Sequence, residues 1–170
     1  MASLEILLEI GKKAPTDIEK LEYAAEKNTL YLENIEKMTP EDILPGVMEF
    51  LTEIKKSGIL IGLGSVSKNA RSILSKTAIT DFFDAIVDGN IITHAKPDPE
   101  VFLTGARMLN MPPAQCVVFE DAVAGVEAAH RAGMKCVGVG EPDILGEADM
   151  IIPGFENFNL KDLTLYLEKS

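Results

Sequence analysis

Residues 112–130, PPAQCVVFEDAVAGVEAAH, decide how this chain folds. The apolar run Cys116-Val117-Val118-Phe119 is too short for a helix and reads as a buried strand. It runs straight into Glu120-Asp121 and then into a small-residue helix start at Ala122–Gly125. A strand, an acidic pair and a helix make half of a parallel unit, and open α/β sheets bind ligands outside the carboxyl ends of their strands. Carboxylates are costly there unless a cation or hydrogen bonds compensate them. Such hard oxygen donors suit Mg²⁺, which takes one or two carboxylates plus substrate phosphate oxygens. An alternative reading stays open at this point, in which Asp121 only caps the next helix through its free N–H groups.

Outward from this stretch, strands and helices alternate. The pattern predicts strands over 59–64, 85–87, 116–119, 135–139 and 150–152. It predicts helices over 69–77, 99–109, 122–132 and 159–168. Alternation of this kind implies βαβ units and a doubly wound parallel α/β sheet. Before residue 59 only helices are expected. Leu4, Leu7, Leu8 and Ile10 form a short apolar face, Thr16-Asp17-Ile18-Glu19 is a capping box opening a helix to about Lys37, and Thr39-Pro40 and Pro45-Gly46 are further starts, the last feeding Val47–Lys56. We therefore expect a helical segment over 1–44 and an α/β domain over 45–170.

Composition narrows the class. An apolar fraction of 46% with 25% charged residues excludes a disordered chain. The formal net charge of −11 argues against a nucleic-acid partner and demands local positive charge for any anionic substrate. No apolar run is long enough for a membrane span, and MASLEILLEIGKK lacks the basic start of a signal peptide. A soluble, cytoplasmic protein is expected. Cys116 and Cys136 fall in predicted strands and read as small apolar residues, while His94 and His130 read as surface or packing residues.

Two more segments carry chemistry. In ILIGLGSVSKN (59–69) an apolar strand ends at the Ser65 hydroxyl and opens into a helix at Lys68-Asn69. In IITHAKPDPEV (91–101) Lys96 sits in a Lys-Pro-Asp-Pro run, with Asp98 as N-cap and Pro99 at the first helical position. A strand-end Ser, a loop Lys and a strand-end Glu-Asp, in that order, are the second to fourth signatures of the haloacid dehalogenase-like phosphotransferases, which this chain resembles along essentially its whole length. Together with the closing GVGEPDILGEADMII, the SVSKN run is most similar to the β-phosphoglucomutase branch of that family.

The first signature of that family, an apolar strand ending in Asp-x-Asp-Gly with the phosphorylated nucleophile and the general acid/base, is not present. Phe82–Gly89 has a superficial likeness, but its aspartates, Asp84 and Asp88, are spaced wrongly. Met1 then reads as an internal methionine of a longer reading frame, residues 1–44 as the remnant of a helical cap, and 45–170 as a core lacking its first, central strand. A naturally short protein is the competing reading. A core without that strand is expected to be marginal, to draw its neighbouring strands together, or to associate with a second copy.

The resemblance implies Mg²⁺-dependent phosphoryl transfer on a phosphorylated sugar, β-glucose 1-phosphate to glucose 6-phosphate in a full-length enzyme. It makes Glu120 and Asp121 the metal ligands, Lys96 the charge that neutralises the transferring phosphoryl, and Ser65 a hydrogen-bond donor to it. The Val66 N–H, Lys68, Asn69 and, more loosely, Lys27 become substrate contacts. Ala122 stands where the similar enzymes carry Ser. Each residue also has a plainer reading: Lys96, Lys68 and Lys27 as solvated lysines, Ser65 as a helix cap, Asn69 as an exposed helix start. Two alternatives to a mutase remain, a sugar-phosphate phosphatase of the same superfamily and a non-catalytic binding or assembly module. Without a nucleophile the chain alone is expected to be inactive.

Overall fold

The computed structural model describes residues 16–168. The expected helix over Leu4–Ile10 lies outside them. The chain divides into two compact units, one ending at Met38 and one running from Thr39 to Ser170, so the boundary expected at residue 45 falls inside the second.

The first unit is described by helix α1 (Asp17–Lys37). Its start is the capping box seen in the sequence. The Thr16 Oγ1 accepts the Glu19 N–H at 3.3 Å, and the Glu19 carboxylate accepts the Thr16 N–H at 2.8 Å.

In the second unit, a 3₁₀ turn at Pro40–Asp42 leads to helix α2 (Val47–Lys56). Strand β1 (Gly62–Gly64), helix α3 (Ala70–Lys76) and strand β2 (Ala85–Val87) follow. Then come α4 (Glu100–Met108), β3 (Val117–Glu120), α5 (Val123–Arg131), β4 (Lys135–Val139), α6 (Pro142–Leu145), β5 (Met150–Ile152) and α7 (Leu160–Leu167). All strand pairs are parallel, as helical crossovers require. They form two ladders, β1–β2 and β3–β4–β5. Among the described residues no hydrogen-bonded strand pairing joins the two ladders into one sheet.

The strands place alternate residues on opposite faces, and helices cover both. On one face Val118, Cys136 and Ile151 pack with Val126 and Ala129 of α5, Ala106 of α4 and Leu145 of α6. On the other, Val117, Phe119, Val137 and Ile152 meet Phe50 and Ile54 of α2 and Leu163 of α7. This is the doubly wound arrangement that the alternating pattern predicts. Four aromatic rings form the centre of the second layer. Phe50 lies 5.4 Å from Phe119, 5.3 Å from Phe155 and 5.3 Å from Phe158 between centroids. Gly46 makes this packing possible. Its φ is +80°, and a Cβ there would run into the Phe155 backbone.

Burial makes Cys136 inert. Desolvation first, then the nearby Glu120 and Asp149 charges, push its thiol up to about 12. His130 is a surface residue, with Nε2 2.9 Å from Asp149 Oδ2. Among the described residues no helix is long and apolar enough to cross a membrane.

Candidate active site at the strand ends

Glu120 and Asp121 lie at the carboxyl end of a strand, and Lys96 on a loop that reaches it. Glu120 closes β3, paired in register with Gly138 of β4, and Asp121 follows it. The Glu120 carboxylate is nearly buried, with 6% of its side chain exposed. Its Oε2 accepts the N–H groups of Asp121 at 3.2 Å and Ala122 at 3.4 Å at the start of α5. Gly125 makes room for this fold-back, since a Cβ there would overlap the carboxylate. Its Oε1 forms an ion pair with the Lys96 ammonium.

Lys96 comes from the Lys-Pro-Asp-Pro loop, follows Ala95 and precedes a cis peptide bond to Pro97. Its Nζ also sits 4.7 Å from the centroid of the Phe102 ring, a cation–π contact. Phe102 belongs to α4, and its ring approaches β1 closely because residue 64 is Gly; a Cβ at 64 would stand 3.1 Å from the ring. The two ladders are thus linked at their carboxyl ends by Gly64, Phe102, Lys96 and Glu120.

Asp121 is exposed, and no described residue forms a hydrogen bond or ion pair with its carboxylate. Glu120 is therefore largely committed to Lys96 and the helix start, and Asp121 offers the uncommitted oxygens. Adjacent hard carboxylates, one of them free, are a donor set that Mg²⁺ accepts.

The end of β1 is a tight polar turn. Ser65 donates its N–H to Val87 O at 2.9 Å, and its Oγ accepts the Ser67 N–H at 3.1 Å, leaving the hydroxyl proton available. Ser65 therefore holds its own turn as well as lying at the strand end. Ser67 Oγ in turn accepts the Asn69 N–H at 3.2 Å. Asn69 is the residue before α3 and its side chain makes no cap. Val66 and Lys68 are exposed. Their loop is pinned to the loop after β2: Asn90 Nδ2 donates to Lys68 O at 3.1 Å, and Gly89 N–H to Ser67 O at 3.1 Å. A Cβ at Gly89 would strike Val66 O, so the close approach of the two loops needs glycine. Lys27 lies on α1, in the other unit.

Some residues of the site had no signal in our reading of the sequence. Asp88, at the end of β2, is buried and bonds Arg71 Nε at 2.9 Å and the Asn90 N–H at 2.9 Å. A carboxylate directly after a fully apolar strand was the available clue. Burial works to raise its pKa, but the Asn90 N–H, the Asn90 side chain and Arg71 together hold it below the ordinary value. A depressed folded-state pKa stabilises the fold above the unfolded pKa, and that stabilisation is lost as pH falls through the folded value. Asp88→Asn should therefore show a flatter loss of urea resistance below about pH 4 than the parent. An unchanged acid limb would show that Asp88 does not contribute.

A family model described as haloacid dehalogenase-like hydrolase matches residues 3–133. The chain is 44% identical over 167 residues to the β-phosphoglucomutase of Bacillus subtilis, covering 97% of this chain and 72% of that protein. It is 43% identical over 79 residues to the fructose-1-phosphate phosphatase YqaB of Escherichia coli, covering 46% of this chain and 42% of that protein. Among solved structures, a β-phosphoglucomutase (pgmB) from Clostridium difficile superposes with a TM-score of 0.86 at 37% identity, covering 99% of this chain and 76% of that one.

Proposed function

Since the chain belongs to the haloacid dehalogenase-like hydrolases, we propose that it carries the phosphate- and metal-binding half of a phosphoryl-transfer site for a sugar phosphate. The reading rests above all on the pairing of Lys96 with Glu120, two opposite charges from segments distant in sequence that meet at a strand end. The finer assignment is a β-phosphoglucomutase-like reaction, interconverting β-glucose 1-phosphate and glucose 6-phosphate.

Phosphoryl transfer asks mainly for positioning and neutralisation of charge on the transferring oxygens. Lys96 supplies a fixed cation. The free Ser65 hydroxyl proton and the Val66 N–H donate to a phosphoryl oxygen. Lys68 and Asn69 take a second phosphate. Asp121, with Glu120, would hold Mg²⁺, which would supply charge neutralisation of the phosphoryl oxygens. No apolar strand in the 170 residues ends in Asp-x-Asp-Gly, so binding without turnover is expected of this sequence. A sugar-phosphate phosphatase is the second reading, favoured by the similarity to a fructose-1-phosphate phosphatase.

Titration calorimetry tests the reading. With Mg²⁺ present, β-glucose 1-phosphate should bind saturably. Lys96→Ala should weaken binding about tenfold, the equivalent of ~1.4 kcal/mol. Equal affinity for glucose and its phosphate, or no change with Lys96→Ala, would reject it.

A further inference from the structure

The segment that carries Lys96 is held shut by a single carboxylate. Glu100, in the first turn of α4, accepts the Thr93 N–H with both oxygens at 3.1 Å and the His94 N–H at 2.6 Å. It also takes the Thr93 hydroxyl at 3.1 and 3.0 Å and faces His94 Nδ1 at 2.9 Å. A second tie lies inside the first: Asp98 Oδ1 accepts the Glu100 N–H at 2.9 Å, and the Asp98 N–H reaches Ala95 O at 3.0 Å. Lys96 sits inside both ties. The same helix carries Phe102, whose ring lies under the ammonium.

We propose that Glu100 is a positioning residue that closes residues 93–100 and so presents the Lys96 ammonium to Glu120 and Phe102. The proposal rests on the phosphoryl-transfer reading of the site. His94, Asp98 and Glu100 bring potential ligand atoms within 4.8 Å of one another, as a cation site would. Yet both Glu100 oxygens already receive backbone donors, Asp98 is bonded to a backbone N–H, and a ring nitrogen facing a carboxylate acts as a donor. The Glu100 carboxylate is spent on backbone donors, and its product is loop geometry. The Thr93 and His94 backbone N–H groups hold the Glu100 carboxyl down to about 2, so the clamp stays charged across the neutral range.

Reductive ¹³C-methylation of the 170-residue chain gives each lysine an NMR signal. The Lys96 methyls, over an aromatic ring, should be shielded and resolved from exposed lysines, with Lys96→Arg identifying them. Glu100→Gln should return that signal to the exposed position and speed Thr93 and His94 amide exchange about tenfold, while the chain still melts cooperatively. Glu100→Asp should restore part of the shift. A Lys96 signal unmoved in Glu100→Gln, even with faster exchange, overturns the proposal, because Glu100 would then be structural only. If Glu100→Gln does not fold, Thr93→Val serves instead, removing the hydroxyl donor alone. A part-way shift supports the clamp and none overturns it. Inorganic phosphate with Mg²⁺ tests the site separately. If it fails to move the Lys96 signal of the parent while Glu100→Gln still does, the phosphoryl reading falls and the positioning role stands.

Discussion

Glu120→Ala will destabilise the chain by ~3 kcal/mol or more, among the larger effects a single change can have here. Glu120 and Lys96 are 6% and 17% exposed at the side chain, and removing one partner of such a pair leaves the other charge poorly solvated. Buried pairs broken this way cost about 3–5 kcal/mol, and the residual hydration of Lys96 favours the lower end. The same change strips the Asp121 and Ala122 N–H groups of their acceptor and empties the space that Gly125 leaves. Lys96→Ala should cost less, since Glu120 keeps its two N–H donors at the helix start. A double-mutant cycle in urea checks the argument. The coupling should exceed ~1 kcal/mol, whereas additivity within about 0.5 kcal/mol would mean the pair forms no real contact in solution.

Phe50→Ala will be at least as damaging, by about 3–5 kcal/mol. Phe50 is 4% exposed and touches the three other rings of the aromatic cluster. Through Phe119 it supports the strand that ends in Glu120, and through Phe155 and Phe158 the approach to α7. Total stability of a domain is only about 5–15 kcal/mol, so the variant should be partly unfolded at 37 °C. Phe50→Leu should cost far less, and Leu44→Ala, at a position 67% exposed, less than about 0.5 kcal/mol. Thermal melts of the three variants check this order, and Phe50→Ala within a few degrees of the parent would contradict the packing.

Much of this architecture could be read from the sequence where local chemistry and tertiary demand agree. The helix Val47–Lys56 and the strands 85–87, 135–139 and 150–152 have the bounds that periodicity and turn residues imply. The strand expected over 59–64 is shorter, Gly62–Gly64, for a physical reason. Asp84 takes the Ile61 N–H on its side chain at 2.8 Å, ending the ladder where a carboxylate substitutes for a backbone partner. Helix α6 went unread because four residues carry no periodicity. Asp98 is not the N-cap that the sequence implies: Pro99 holds that position, the helix begins at Glu100, and Asp98, one residue earlier, accepts the Glu100 N–H. The family resemblance assigned Lys96 to a phosphoryl group and Glu120 to a metal, and did not give their direct pairing. No spacing rule would have found it. Glu100 was overlooked because a side chain that binds backbone donors leaves no pattern in hydropathy.

The separation of the two ladders has a consequence for how the molecule opens. No described backbone hydrogen bond passes from β1 to β3, so side chains and α2 carry what couples the halves. On one side Lys55 of α2 donates to Phe82 O and Asp84; on the other Glu53 accepts the Leu160 N–H at 2.9 Å. Cooperative units of a native protein follow such seams. The half formed by β1, α3 and β2 should therefore exchange its amides through openings smaller than global unfolding, ahead of β3–β4–β5. An opening that carries the Lys96 loop with it would part Lys96 from Glu120, so for such openings the charge geometry of the site and the breathing of the fold are one equilibrium seen by two probes.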